Sequence, residues 1–237
     1  WLGAIDSSHA TATQQLGYDG RGVSVAVADS GLENGDAETM HPDLVGRVDG
    51  FFYYGSLGSA ADENGHGTHV AGIIAGDGAT GETDGAGALY GLGLAPKAHI
   101  IAQRVFDAAG QDEMPDYEVL AHDAVRSGAA IGSNSCGDDD PGRSALPAAK
   151  FDALVRDADA NTPGEQPLIL VFSAGNAGPG RQTVDSPGLA KNVIAVGASE
   201  NDRPQFGLYT DGQDYMADFS SRGPCEDGRT KPDLVAQ

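Results

Sequence analysis

Valine and alanine fill the run GVSVAVADSGL at residues 22–32, with no polar side chain between Ser24 and Asp29, and Asp-Ser-Gly closes it. A strand that is apolar on both faces needs cover on both, so this run reads as a buried parallel strand ending in a tight turn. The run AHIIAQRVF (98–106) repeats the pattern. Next, DYEVLAHDAVRSG (116–128) spaces Tyr117, Leu120, Ala121, Ala124 and Val125 at helical intervals, stops at Gly128 and leads into the short strand AAIGSNS (129–135). A helix near 145–160 and the strands PLILVFS (167–173) and NVIAVGA (192–198) continue the alternation. Strands separated by helices predict an α/β fold: a doubly wound, mostly parallel sheet with helices on both faces. With 40% apolar residues, no internal repeat and no dividing linker, residues 1–237 read as one domain.

Charge narrows the partners. Thirty-five acidic residues against fourteen basic ones give a net charge of −21, which repels phosphate backbones and anionic headgroups. Nucleic acid and membrane surfaces are therefore not the expected partners, and no run approaches the roughly 18 apolar residues of a membrane span. The excess reads as a well-solvated acidic surface, with salt tolerance and calcium binding as alternatives. The opening at Trp1, without methionine, reads as a processed chain. Two cysteines, Cys136 and Cys225, are too few for a disulfide framework and leave open one bridge or two thiols. The glycine-rich stretch 76–93 reads as a surface excursion or flap.

In an open parallel sheet, ligands bind beyond the carboxyl ends of strands, so residues just after strands are the first candidates. Asp29 is one, although alone it would serve equally as a turn residue. The segment NGHGTHVAGIIAG (64–76) sets His66 and His69 at the mouth of a helix of small residues. Two imidazoles three apart can share a helix face and clamp a metal, or one can be half of a catalytic site, and the spacing does not choose. The segment VFSAGNAG (171–178) places Asn176 in a glycine turn after a buried strand.

These segments resemble the subtilisin-like serine proteases in motif and order over almost the whole chain. VAVADSGL is similar to the family's aspartate motif, NGHGTHVAG to its histidine motif and APKAHIIAQRVF to the strand that follows. SNSCG resembles the substrate-binding strand, VFSAGNAG the oxyanion-asparagine segment, and SPGLAKNVIAVGAS the wall of the first specificity pocket. FSSRGP and KPDLVA resemble the run toward the nucleophile. FSSRGP, DGRTKPD and ENDRPQFG are similar to the large oxidatively stable bacterial alkaline subtilases that carry an added β-rich domain. The resemblance implies the three-layer subtilisin-like fold and a secreted endopeptidase acting on proteins and peptides. It implies that His66 is the general base, that Asp29 holds its tautomer and stabilises its charge, and that Asn176 donates to the oxyanion. His69 is then structural. The backbone of Ser135, Cys136 and Gly137, with Ala174 and Gly175, would bind substrate as an added strand. No cofactor is required for this chemistry. Structural calcium is common among relatives, and the acidic loops at 138–140 and 36–38 are its candidate hosts.

One part of the pattern is missing. The family's nucleophile lies in Gly-Thr-Ser-Met-Ala, and no such motif occurs here; Ser30, Ser173 and Ser221 belong to other segments. Gln237 stands where the family continues with proline. The expectation is therefore a catalytic domain lacking the part that bears the serine, inactive alone and partnered by the remaining piece of the same polypeptide. A non-catalytic pseudo-protease or binding module is the alternative, and a metal-dependent hydrolase using His66 and His69 is the remote one. Cys136 stands where the family carries a large apolar residue, which puts a thiol near the expected cleft.

Overall fold

A computed structural model describes residues 14–83, 87, 89–137, 145–201, 212 and 214–236. The chain divides into two compact units, Trp1–Gly132 and Ser133–Gln237. Seven strands are β1 (Ser24–Asp29), β2 (Val48–Tyr53), β3 (His99–Arg104), β4 (Ala129–Asn134), β5 (Ile169–Ser173), β6 (Ile194–Ala198) and β7 (Leu234–Ala236). The helices are α1 (His66–Ala75), α2 (Tyr117–Arg126) and α3 (Ala145–Leu154). The strands form one sheet in the order β2-β3-β1-β4-β5-β6-β7. The pairings β1/β3, β2/β3, β5/β6 and β6/β7 are parallel. The predicted α/β parallel sheet is therefore present. Strand order reverses at β1, whose neighbours are β3 on one side and β4 on the other, so Asp29 ends the strand at the topological switch point.

In the first unit the two faces of the sheet are covered by different helices. Val25 and Val27 of β1 pack with Ile100 and Ala102 of β3 against Ala71 and Ala75 of α1. Ala28, one residue out of phase, packs with Val105 and with Leu120 of α2. Gln103 of β3 also faces α2, its Nε2 donating to the Leu120 carbonyl at 2.8 Å. Burying each valine or leucine here contributes about 1.5–3 kcal/mol. The alanines contribute less, but they let the helix approach closely. The last carbonyls of α1 are satisfied from outside the helix: Arg47 Nη1 donates to Ala75 O at 2.6 Å, and Leu94 N and Ala95 N donate to Ile73 O and Ile74 O. The glycine-rich excursion thus returns to cap the helix it left.

Two strands escape the sequence pattern. In β2, Gly50 interrupts the run and the register shifts between Val48 and Gly50, leaving a half-exposed edge without clean alternation. β7 is three residues long and exposed. In the second unit, Phe151 of α3 meets Phe172 of β5 edge to face, with ring centroids 4.8 Å apart. Lys231 is buried at the approach to β7, its Nζ donating to Val193 O (2.9 Å) and Asp233 Oδ2 (2.6 Å).

Candidate active site

The two segments that supply Asp29 and His66 meet because Gly67 lets them. A Cβ at Gly67 would overlap the Gly31 carbonyl and lie 3.1 Å from Asp29 Cβ, so only glycine permits the first turn of α1 to press on the end of β1. Gly65, immediately before the helix, has φ +98°, in the left-handed region that glycine tolerates. His66 is thereby turned onto Asp29, with Nδ1 2.7 Å from Asp29 Oδ1. The aspartate is 1% exposed, whereas the imidazole side chain is 58% exposed. Such an arrangement fixes one ring nitrogen on a buried carboxylate and leaves the other facing solvent.

Asp29 has few other ties. Ser30 N donates to Oδ1 at 2.7 Å, while the buried Oδ2 has no hydrogen-bond partner among the described residues. A carboxylate held by so few donors leans on the imidazole for compensation. The hydrogen bond to Asp29 accordingly raises the His66 pKa above the ordinary histidine value; burial opposes this, and the charges of Asp29 and Asp62 add to the rise.

Asp62 and Ser30 support the pair, and neither was a sequence candidate for it. Asp62 Oδ1 accepts from Ser30 Oγ and from the backbone of Asn64 and Gly65, and Oδ2 accepts from Thr68 N and Oγ1. Ser30 Oγ accepts in turn from Gly67 N at 2.9 Å. Burial pushes the Asp62 carboxyl up, but the donors of Thr68, Gly65 and Ser30 outweigh it and hold it below the ordinary range. An aspartate shortly before a helix start is a recognisable signal; Ser30 gave none beyond its place after Asp29.

The other predicted residues belong to the second unit. Ser135, Cys136 and Gly137 follow β4 directly; Ala174, Gly175 and Asn176 follow β5. Asn176 is exposed, at the tip of a turn that Ser221 grips from both sides: Ser221 N donates to Gly175 O and Ser221 Oγ accepts from Ala177 N, each at 3.0 Å. Gly175 has φ +100°, and a Cβ there would overlap the Asp185 carboxylate. Gly137 runs close to the Ser186 carbonyl, which a Cβ would meet at 3.2 Å. Cys136 and Cys225 form no disulfide, and each is 4% exposed. Burial raises the Cys225 pKa, and a thiol as buried as Cys136 is shielded from reagents.

Among the described residues, no three His, Cys, Asp or Glu side chains gather as metal ligands. His69 is exposed, and His66 is engaged by Asp29 through Nδ1. Asp36, a candidate calcium ligand, caps a short 3-10 turn by accepting from Glu38 N at 2.9 Å, and 138–140 lies outside the described residues.

A buried strand-end aspartate thus meets a helix-start histidine in the first unit, and an asparagine turn follows a parallel strand in the second. Residues 20–237 match the Subtilase family, and the chain belongs to it. It is 32% identical over 246 residues to serine protease AprX of Bacillus subtilis (strain 168), covering 98% of this chain and 50% of AprX. It is 33% identical over 215 residues to subtilisin Savinase of Lederbergia lenta, covering 90% of this chain and 70% of that protein. Among solved structures, sphericase superposes with a TM-score of 0.65 at 30% identity, over 92% of this chain and 66% of that one. A cold-adapted subtilisin-like serine proteinase superposes at 0.62 and 22% identity, over 92% and 64%, and bears on the fold alone. The chain thus spans about half the length of AprX and just under two thirds of these structures' chains.

Proposed function

We propose that this chain supplies the orienting aspartate, the histidine base and the oxyanion donor of a secreted serine endopeptidase, with a serine from the polypeptide beyond Gln237 as nucleophile. The observation that carries the reading is the 2.7 Å contact between His66 Nδ1 and the buried Asp29. In this reading Asp29 keeps the proton on Nδ1, so Nε2 on the exposed side takes the serine proton as the hydroxyl attacks a peptide carbonyl, then returns it to the leaving amine. The exposed amide of Asn176, its turn fixed by Ser221, donates to the oxyanion. Removing such a donor costs roughly 10²–10³ in turnover, a figure that comes from a subtilisin itself. Extended peptide pairs with the backbone of 135–137 as an added strand, which makes proteins the substrates. No step calls for a metal or cofactor. Calcium, if bound, would serve stability.

The test is labelling by a fluorophosphonate of the 237-residue chain and of a version extended through the following sequence. The extended protein is expected to be labelled, and the short chain not. Because the base must be neutral and its pKa is raised, labelling should climb with pH through a midpoint above the ordinary histidine value of about 6.5. His66→Gln should abolish it. An extended, folded protein that takes no label would make this a non-catalytic member of the family.

A further inference from the structure

Asp62 joins both halves of the Asp29–His66 couple. Its Oδ1 accepts from Ser30 Oγ (2.8 Å), Gly65 N (2.8 Å) and Asn64 N (3.1 Å); its Oδ2 accepts from Thr68 N (2.8 Å) and Thr68 Oγ1 (2.6 Å). An ordinary helix cap uses one side-chain oxygen on the second or third helical amide. Asp62 uses both oxygens, and reaches across to the residue that follows Asp29. Ser30 closes the loop by accepting from Gly67 N, the residue after His66. The positions on either side of His66 and the position after Asp29 are therefore fastened to a single Asp62–Ser30 unit.

We propose that Asp62 is the positioning residue of the couple, locking the start of α1 to Ser30 so that the imidazole stays on Asp29, and lending its negative charge to the protonated ring. The proposal rests on reading Asp29 and His66 as the acid–base couple. The charged groups acting on the ring are Asp29 and Asp62, both acidic, so loss of Asp62 leaves Asp29 alone to favour the imidazolium.

Proton and nitrogen NMR of the labelled chain tests this without substrate, so the result stands whether or not a serine is ever labelled. His66 signals are assigned with His66→Gln. In Asp62→Asn, with the amide signals of Ala71 and Ala75 retained, the His66 titration midpoint should fall and the far-downfield Nδ1 proton, the signature of its bond to Asp29, should be lost to exchange. Thr68→Val, which removes one of the five hydrogen bonds to Asp62 together with that from Glu33 N and keeps the charge, should leave the midpoint where it is. An unchanged midpoint and proton signal in folded Asp62→Asn would overturn the proposal, as would an equal shift in Thr68→Val. Should Asp62→Asn not fold, Ser30→Ala decides: faster exchange of the Nδ1 proton is expected, and an unchanged signal refutes the lock.

Discussion

Gly67 sets the distance between helix and strand at the candidate site, and the atom it spares is backbone, which cannot swing aside. Gly67→Ala should therefore cost about 2–3 kcal/mol of stability in a urea titration, near the upper end for overpacking. A cost within experimental error would mean that α1 shifts freely on the sheet. Asp29 could be picked from sequence because a polar residue closed an apolar run. Nothing along the chain, by contrast, tied Ser221 to Asn176: the two are joined by hydrogen bonds to Gly175 and Ala177 across more than forty residues. Ser221 was legible only as not being the nucleophile. Its part in holding the turn exists in three dimensions alone.

Elements with strong periodicity were legible and edge elements were not. β1 and β3 announce themselves because both faces are buried, which demands continuous apolar runs, and β5 and β6 because apolar residues continue through positions that are only alternately buried. β2 and β7 lie at the two ends of the sheet, where burial no longer dictates composition. Beside its ladder with β6, β7 is held by a buried cation: Lys231 bonds Val193 O and Asp233, whose Oδ2 also accepts from Ala195 N at 2.8 Å. Lys231→Ala would leave these acceptors unmatched. It should lower stability by about 2–3 kcal/mol, less than the roughly 3–5 kcal/mol typical of a fully buried pair, because the Asp233 side chain is 40% exposed. Thermal melting of the variant checks this, and an unchanged midpoint would show that β7 is held by its backbone alone.

At the scale of the whole molecule, the few cations are partly withdrawn from the surface. The side chains of Arg47, Arg104 and Lys231 are 13%, 4% and 3% exposed and serve internal carbonyls or single carboxylates. Among the described residues Asp29, Asp43 and Asp159 are buried as well, so the solvent face keeps an acidic excess close to the net −21. Self-repulsion of that surface should be relieved by salt, since the screening length falls from about 10 Å at 0.1 M to about 3 Å at 1 M. The melting temperature should rise by several degrees across that range in sodium chloride. A flat response would mean that local pairs, such as Lys97 with Asp19, already balance the field.

The alternation of the buried strands with helices, the parallel sheet and the candidacy of Asp29, His66 and Asn176 were determined by sequence, because strand burial and helical spacing act over a few residues and leave a local pattern. Tertiary structure decided which of two equivalent histidines meets Asp29, and that Asp62 and Ser30 fasten the meeting. It also decided that the two cysteines do not form a disulfide. These choices depend on contacts between residues far apart in the chain, where a gap the width of one Cβ at Gly67 separates a hydrogen bond from a clash, and no short-range pattern encodes that distance.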